Sequence, residues 1–130
     1  MITLTLPFPP SVNGYWRNIN GRTLISAKGR AYKKAVARLV QWHHVAKNLQ
    51  GRLTVQVVLH PPDRRKRDID NSMKALLDSM QAAGVYLDDS QIDRLVIDRG
   101  EIKKGGAAIV TIKAICRLAD NSHKLLGDKR

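Results

Sequence analysis

Ile2, Leu4 and Leu6 alternate with Thr3 and Thr5, the period of two that marks a half-buried strand. Pro7, Pro9 and Pro10 end it, and the run Ser11, Val12, Asn13, Gly14 reads as a turn. A short second strand is expected over residues 23–25. Ser26 suits the N-cap of a helix reaching Lys47, with Ala35, Leu39, Trp42 and Ala46 repeating along one face. Residues 52–60 are rich in β-branched side chains and predict a central strand, closed by Pro61 and Pro62. Met73, Leu76, Leu77 and Met80 give a second helical stripe, starting at Asp70 or Asn71 and ending at Ala83, with Gly84 as its stop. Two more strands, over residues 94–102 and 107–118, are expected to be joined hairpin-fashion through Lys103, Lys104, Gly105 and Gly106. The order β-β-α-β-α-β-β predicts an α+β fold. It is expected as a single domain over residues 1–118, with two main helices packed on a mixed, largely antiparallel sheet and a polar tail over residues 119–130.

The charge balance changes this picture. Against 23 Lys and Arg stand 11 acids, a net charge of +12, so a polyanion is the natural partner. Were six to eight cations to meet phosphates, counterion release would give log K a salt slope of roughly −5 to −7. That would hold for a nuclease and for a simple nucleic-acid coating protein alike. No long apolar run suggests a membrane span, and the start lacks a secretory pattern. With one cysteine, Cys116, in an apolar strand-like run, a buried inert thiol and a cytoplasmic location are expected.

The acids are more informative than the bases. Only Glu101 is a glutamate, and eight of the ten aspartates lie between Asp63 and Asp98. In an extended stretch Asp68 and Asp70 would point the same way while Ile69 turns inward, and Lys74 lies one helical turn beyond Asp70. Asp89, with Asp88 beside it as a further candidate, could join them from the loop after the helix. Carboxylates gathered together repel, and a hard divalent cation removes that cost. The cation run Arg64, Arg65, Lys66, Arg67 abuts the first carboxylate, and Lys103 with Lys104 forms a second basic pair; both are candidate phosphate contacts. On spacing alone Asp70 could equally be a helix cap, Asp88 and Asp89 a turn, and the basic run a solvated face. Asp78 and Asp93 read as solvated charges, His43 and His44 as helix surface, and Tyr15, Trp16 and Arg17 as core or dimer packing rather than base stacking. A calcium loop starting at Asp68 is excluded by Met73 and Ser79 at its sixth and twelfth positions. One cysteine and four scattered histidines make a poor zinc site.

These residues resemble the RusA-type Holliday junction resolvases. The likeness runs from Leu6-Pro7-Phe8-Pro9-Pro10-Ser11 with Asn13, through Pro62-Asp63-Arg64-Arg65-Lys66-Arg67-Asp68-Ile69-Asp70-Asn71 and Lys74, to Gly84-Val85-Tyr86-Leu87-Asp88-Asp89-Ser90-Gln91 and Lys104-Gly105-Gly106. It implies a homodimeric, Mg²⁺-dependent endonuclease of DNA recombination and repair, with Mn²⁺ able to substitute and no organic cofactor. Such an enzyme makes paired nicks across a four-way DNA junction. Asp68, Asp70 and Asp89 match the family's metal-binding catalytic aspartates, and Lys74 its catalytic lysine. The segment 38–51 and the residues after Leu118 match poorly.

A dimer is also expected on symmetry, since a four-way junction is two-fold symmetric and one short chain offers one aspartate cluster. The competing class is a non-catalytic polyanion binder, and a nuclease for other branched DNA shares the same chemistry. Should Asp89 stand more than about 10 Å from Asp68 and Asp70, well beyond the reach of one ion's oxygen shell, with no loop movement to close the gap, the nuclease reading falls and a plain polyanion binder takes its place.

Overall fold

The computed structural model describes residues 1–115. Its main sheet takes β1 (Ile2–Leu6), β4 (Leu53–His60), β5 (Ile92–Arg99) and β6 (Ala107–Ala114) in the order β1-β6-β4-β5. β6 runs antiparallel to both neighbours, while β5 runs parallel to β4. Two helices, α2 (Ala27–Trp42) and α3 (Met73–Ala82), pack against each other and on the sheet. The fold is therefore α+β with a mixed, mainly antiparallel sheet, and no helix among the described residues is long and apolar enough to cross a membrane.

Leu53, Val55, Val57 and Leu59 alternate along β4 and are buried with Leu4, Leu6, Val110 and Ile112 from the neighbouring strands. Against this face lie Tyr32, Val36 and Val40 of α2 and Leu76 and Met80 of α3. Each fully buried Leu, Val or Met contributes about 1.5–3 kcal/mol over an exposed one. The opposite face of the sheet carries Thr3, Thr5, Gln56 and Lys113, all exposed.

Several elements differ from the sequence expectation. The turn over residues 11–14 is a short helix, α1 (Val12–Tyr15), because the Ser11 hydroxyl accepts from the Gly14 N–H and caps it. Where one short strand was expected, β2 (Trp16–Ile19) and β3 (Arg22–Ile25) form a hairpin. Its turn is Asn20 and Gly21 at φ 51° and 77°, the positive-φ pair that favours a two-residue connection. The first helix stops at Trp42 rather than Lys47. His44 takes φ 55°, its N–H donates to the Gln41 carbonyl, and the Val45 N–H reaches back to Val40 at 3.0 Å. This Schellman closure is usually marked by glycine, which is absent here. The buried face is Gly29, Tyr32, Val36 and Val40, one position off the expected stripe, so Trp42 is 78% exposed.

The β5–β6 connection is not a hairpin. β5 pairs in parallel with β4, so the chain crosses over through α3 to reach it, and β6 lies on the other side of β4. Lys103–Lys104 therefore passes across the end of β4, where the Lys103 N–H donates to the Pro61 carbonyl at 2.9 Å. Cys116 and the tail lie outside the described residues, as does the expected domain boundary at 118.

Candidate functional site

Pro61 and Pro62 end β4, and the following loop is shaped by one carboxylate. Asp63 Oδ1 accepts from the Arg65 N–H at 2.9 Å and from Arg67 at 2.8 Å. The Arg67 guanidinium lies 5.6 Å from the centre of the Phe8 ring, and the Arg67 carbonyl accepts from Arg99 at 2.9 Å. Arg67 is thus engaged in holding the loop, whereas Arg64, Arg65 and Lys66 are exposed. The Arg67 hydrogen bond, with that from the Arg65 backbone, holds the Asp63 carboxyl down to about 2. A depressed folded value means its stabilisation is complete above an ordinary carboxylate's pKa and is lost as pH falls through about 2. The loop should therefore stay in shape at pH 4, and carbon-detected NMR titration of Asp63 should show a midpoint well below that of an unpaired aspartate. A midpoint near the ordinary value would contradict the pairing.

A groove of about 630 Å³ opens between this loop and the N-terminal prolines, lined in part by Ser11, Lys28, Arg65, Lys66, Asp68 and Asn71. Lys28 went unrecognised from the sequence, because it comes from the first turn of α2, far along the chain. Its signal was there: that turn carries no acidic residue, although the positive end of the helix dipole favours one. A cation placed there makes sense beside an anionic ligand. Lys103 and Lys104 stand exposed at the same end of the sheet. Gly105 and Gly106 turn this segment at φ 81° and 73°, and a Cβ on Gly106 would meet the Phe8 side chain at 2.7 Å. The second basic pair is thereby brought to the rim of the first.

Asp68 ends the extended stretch at φ −84°, ψ 135°, and a 3-10 turn, Ile69–Ser72, leads into α3. Ile69 packs toward the core, as expected, while Asp68 and Asp70 are both exposed. Only Asp68 is in extended backbone; Asp70 already lies in the 3-10 turn, whose tighter winding replaces the expected strand-like alternation. Among the described residues no hydrogen bond or ion pair occupies either carboxylate. Lys74, in the first turn of α3, is also exposed and pairs with neither of them. Among the described residues, these four oxygens and the Lys74 ammonium have no partner.

Asp89 does not join them within one chain. α3 has ten residues, so at 1.5 Å per residue it separates its two ends by about 15 Å. The Asp89 N–H donates to Gln81 Oε1 at 2.9 Å, beside the far end of that helix. The turn is pinned as well. Asp88 caps a second 3-10 turn, Asp89–Gln91, by accepting from the Ser90 N–H. The buried Gln91 side chain accepts from Leu87 and Asp88 and donates to the Leu49 and Gly51 carbonyls. These bonds tie the turn to that end of the helix. Asp88 thus has a capping role, and among the described residues no group of three His, Cys, Asp or Glu could hold a metal ion.

Other assignments also change. Asp78 accepts from the buried Tyr15 hydroxyl at 2.5 Å and pairs with Lys33 at 3.7 Å. Asp93 pairs with Arg52. Neither is a merely solvated charge. Tyr15 and Trp16 pack edge to face at 5.1 Å; Tyr15 belongs to the core and Trp16 packs against it, while Arg17 is exposed.

The sequence profile of the family described as Endodeoxyribonuclease RusA matches residues 7–113. A crossover junction endodeoxyribonuclease of Enterobacteria phage 82 is 41% identical over 109 residues, spanning 84% of this chain and 91% of that protein. One from Escherichia coli strain K12 is 40% identical over 110 residues, spanning 85% and 92%. One from Shigella sonnei strain Ss046 matches at the same identity and spans. The periplasmic domain of Helicobacter pylori MotB superposes with a TM-score of 0.38 at 18% identity, covering 97% of this chain and 88% of that one, and nothing rests on that likeness. The matched span takes in the Asp63 loop, both exposed carboxylates, Lys74 and the Asp89 turn, and the chain belongs to the RusA endodeoxyribonuclease family.

Proposed function

We propose that this chain is a divalent-metal-dependent endonuclease that resolves four-way DNA junctions as a homodimer. Each metal centre would be built from Asp68 and Asp70 of one subunit and Asp89 of the other. The observation that carries this reading is the exposed, unpartnered pair Asp68 and Asp70 beside a groove of cations. Hard oxygen donors in such a pair fit Mg²⁺, and Mn²⁺ in its place, since Mg²⁺ is commonly held by one or two carboxylates with water and phosphate oxygens completing its shell. The third aspartate expected of the family lies across α3, and a two-fold partner is the simplest way to supply it.

The bound ion would polarise the scissile phosphate and activate a water. The chain's own groups do the rest. Lys28, Arg65 and Lys66 seat the phosphate backbone, with Lys103 and Lys104 extending the contact, while Asn71 offers the groove an amide. Lys74, one turn into α3, places positive charge near the phosphate as a water oxygen bonds to phosphorus and the ester P–O bond breaks. The proton released by water ends on the leaving sugar oxygen or in solvent. Residues 1–118 would constitute the nuclease domain, acting in the cytoplasm where DNA is accessible.

The direct test is a synthetic four-way junction, labelled in each arm, incubated with Mg²⁺ or with EDTA. Symmetric paired nicks that require the ion are expected. Equal cleavage in EDTA, or no cleavage across a range of pH and junction sequences, would discard the proposal. Lys28→Ala should weaken junction binding at every sequence tested and lower the salt slope of log K by about 0.9, the share of one phosphate contact. An unchanged slope would remove Lys28 from the interface.

A further inference from the structure

We infer that the exposed edge of β5 is the dimer interface, pairing antiparallel with the same strand of a second copy about a two-fold axis at Val96. The inference rests on the two-subunit reading above and names the surface it requires. β5 is the outermost strand of the sheet, and among the described residues it pairs only with β4. An eight-residue edge strand is a template for another strand, and monomeric proteins usually blunt it with bulges, proline or lysine. Here the bulge sits only at the start, opposite Leu53 and Thr54, and the rest is regular.

The sequence of β5 is complementary to its own reverse. Residues of one parity direct their backbone groups toward β4 and the others outward, so a two-fold antiparallel match pairs only residues of the same parity. With the axis at Val96, Arg94 faces the partner's Asp98, a pair that occurs twice. Leu95, left 38% exposed in one subunit, faces the partner's Ile97. Moving the axis to Leu95 sets Arg94 against the partner's Val96. Moving it to Ile97 sets Leu95 against the partner's Arg99 and Val96 against the partner's Asp98. Of these three registers, only the one centred on Val96 sets unlike charges opposite each other.

This pairing also serves the active site. Antiparallel alignment lays the start of one β5 along the end of the other. The start follows the Asp89 turn directly, and the end is tied to the Asp68 loop by Arg99 and the Arg67 carbonyl. Each subunit's Asp89 is thereby carried to the end of the sheet where its partner's Asp68 and Asp70 stand.

Arg94 and Asp98 are both exposed and make no ion pair among the described residues, so reversing either charge leaves the described fold intact. In sedimentation equilibrium the wild-type chain should be a dimer. Arg94→Asp and Asp98→Arg should each raise the dimer dissociation constant about tenfold or more, since like charges then oppose at two symmetric places. The double variant, with the pair restored in reverse, should return to within about threefold of wild type. As a second measurement, Val96→Cys in a Cys116→Ser background should oxidise to a covalent dimer, while Gln56→Cys on the neighbouring strand should not. Single variants that dimerise like wild type, or a Val96→Cys chain that stays monomeric under oxidation, overturn the proposed edge. If the wild type still nicks junctions in Mg²⁺, the nuclease reading survives that failure. Charge-dependent dimerisation without nicking would sink the nuclease reading and leave the edge.

Discussion

Asp70→Asn is expected to lower Mg²⁺-dependent junction nicking by about 10²–10³-fold or more, at or above the loss from deleting a single preorganised electrostatic contact elsewhere. The change removes one formal charge and keeps the side chain's size. Asp70 is exposed in the 3-10 turn and holds no partner among the described residues, so neither folding nor the groove should suffer. Removing a negative charge from this residue, which lies between the groove-lining Asp68 and Asn71, should leave junction affinity unchanged or raise it. Single-turnover cleavage and gel-shift assays on the same junction separate the two effects. Loss of binding in step with cleavage would mean that Asp70 shapes the surface instead. A plain polyanion binder predicts a third outcome, in which the variant behaves like wild type in every assay and linear duplex binds as well as a junction.

The second large effect is a recovery from two inactive proteins. Asp89→Asn should match Asp70→Asn in its loss. Mixed and allowed to exchange subunits, the two should regain nicking on one strand of the junction. In the mixed dimer, one centre has lost both Asp70 and Asp89, while the other draws Asp68 and Asp70 from the Asp89→Asn chain and Asp89 from the Asp70→Asn chain. That second centre is intact, so nicking should rise from background to a large fraction of the wild-type single-strand rate. Centres lying wholly within one chain would each keep one lesion, and the mixture would stay dead. Persistent inactivity after verified exchange would refute the shared centre.

What could be read from residues alone follows the range of the forces involved. β1, β4 and α3 were legible because a single amphipathic period decides each of them, and Gly84 marks the end of α3. The hairpin of β2 and β3 had a local signal too, Asn20 followed by Gly21, outweighed by the polar character of its flanks. The end of α2 had none, since a histidine at φ 55° does what glycine usually does. Strand neighbours are a different matter. Lys103 to Gly106 has the composition of a hairpin turn, and only the parallel pairing of β5 with β4 shows that it crosses the sheet instead. The same limit applied to the site. Asp68, Asp70 and the Arg64 run adjoin in sequence and so in space, but the position of Asp89 depends on the length of α3, which is legible, and on its direction away from the aspartates, which no local pattern encodes.

That helix has a kinetic corollary. If α3 keeps the third carboxylate out of reach of the other two within a lone subunit, a newly made chain is harmless to DNA until it meets a second. Below the concentration at which dimers persist, turnover should then scale with the square of the amount of protein, so that simple dilution acts as a safety catch on stray strand breakage.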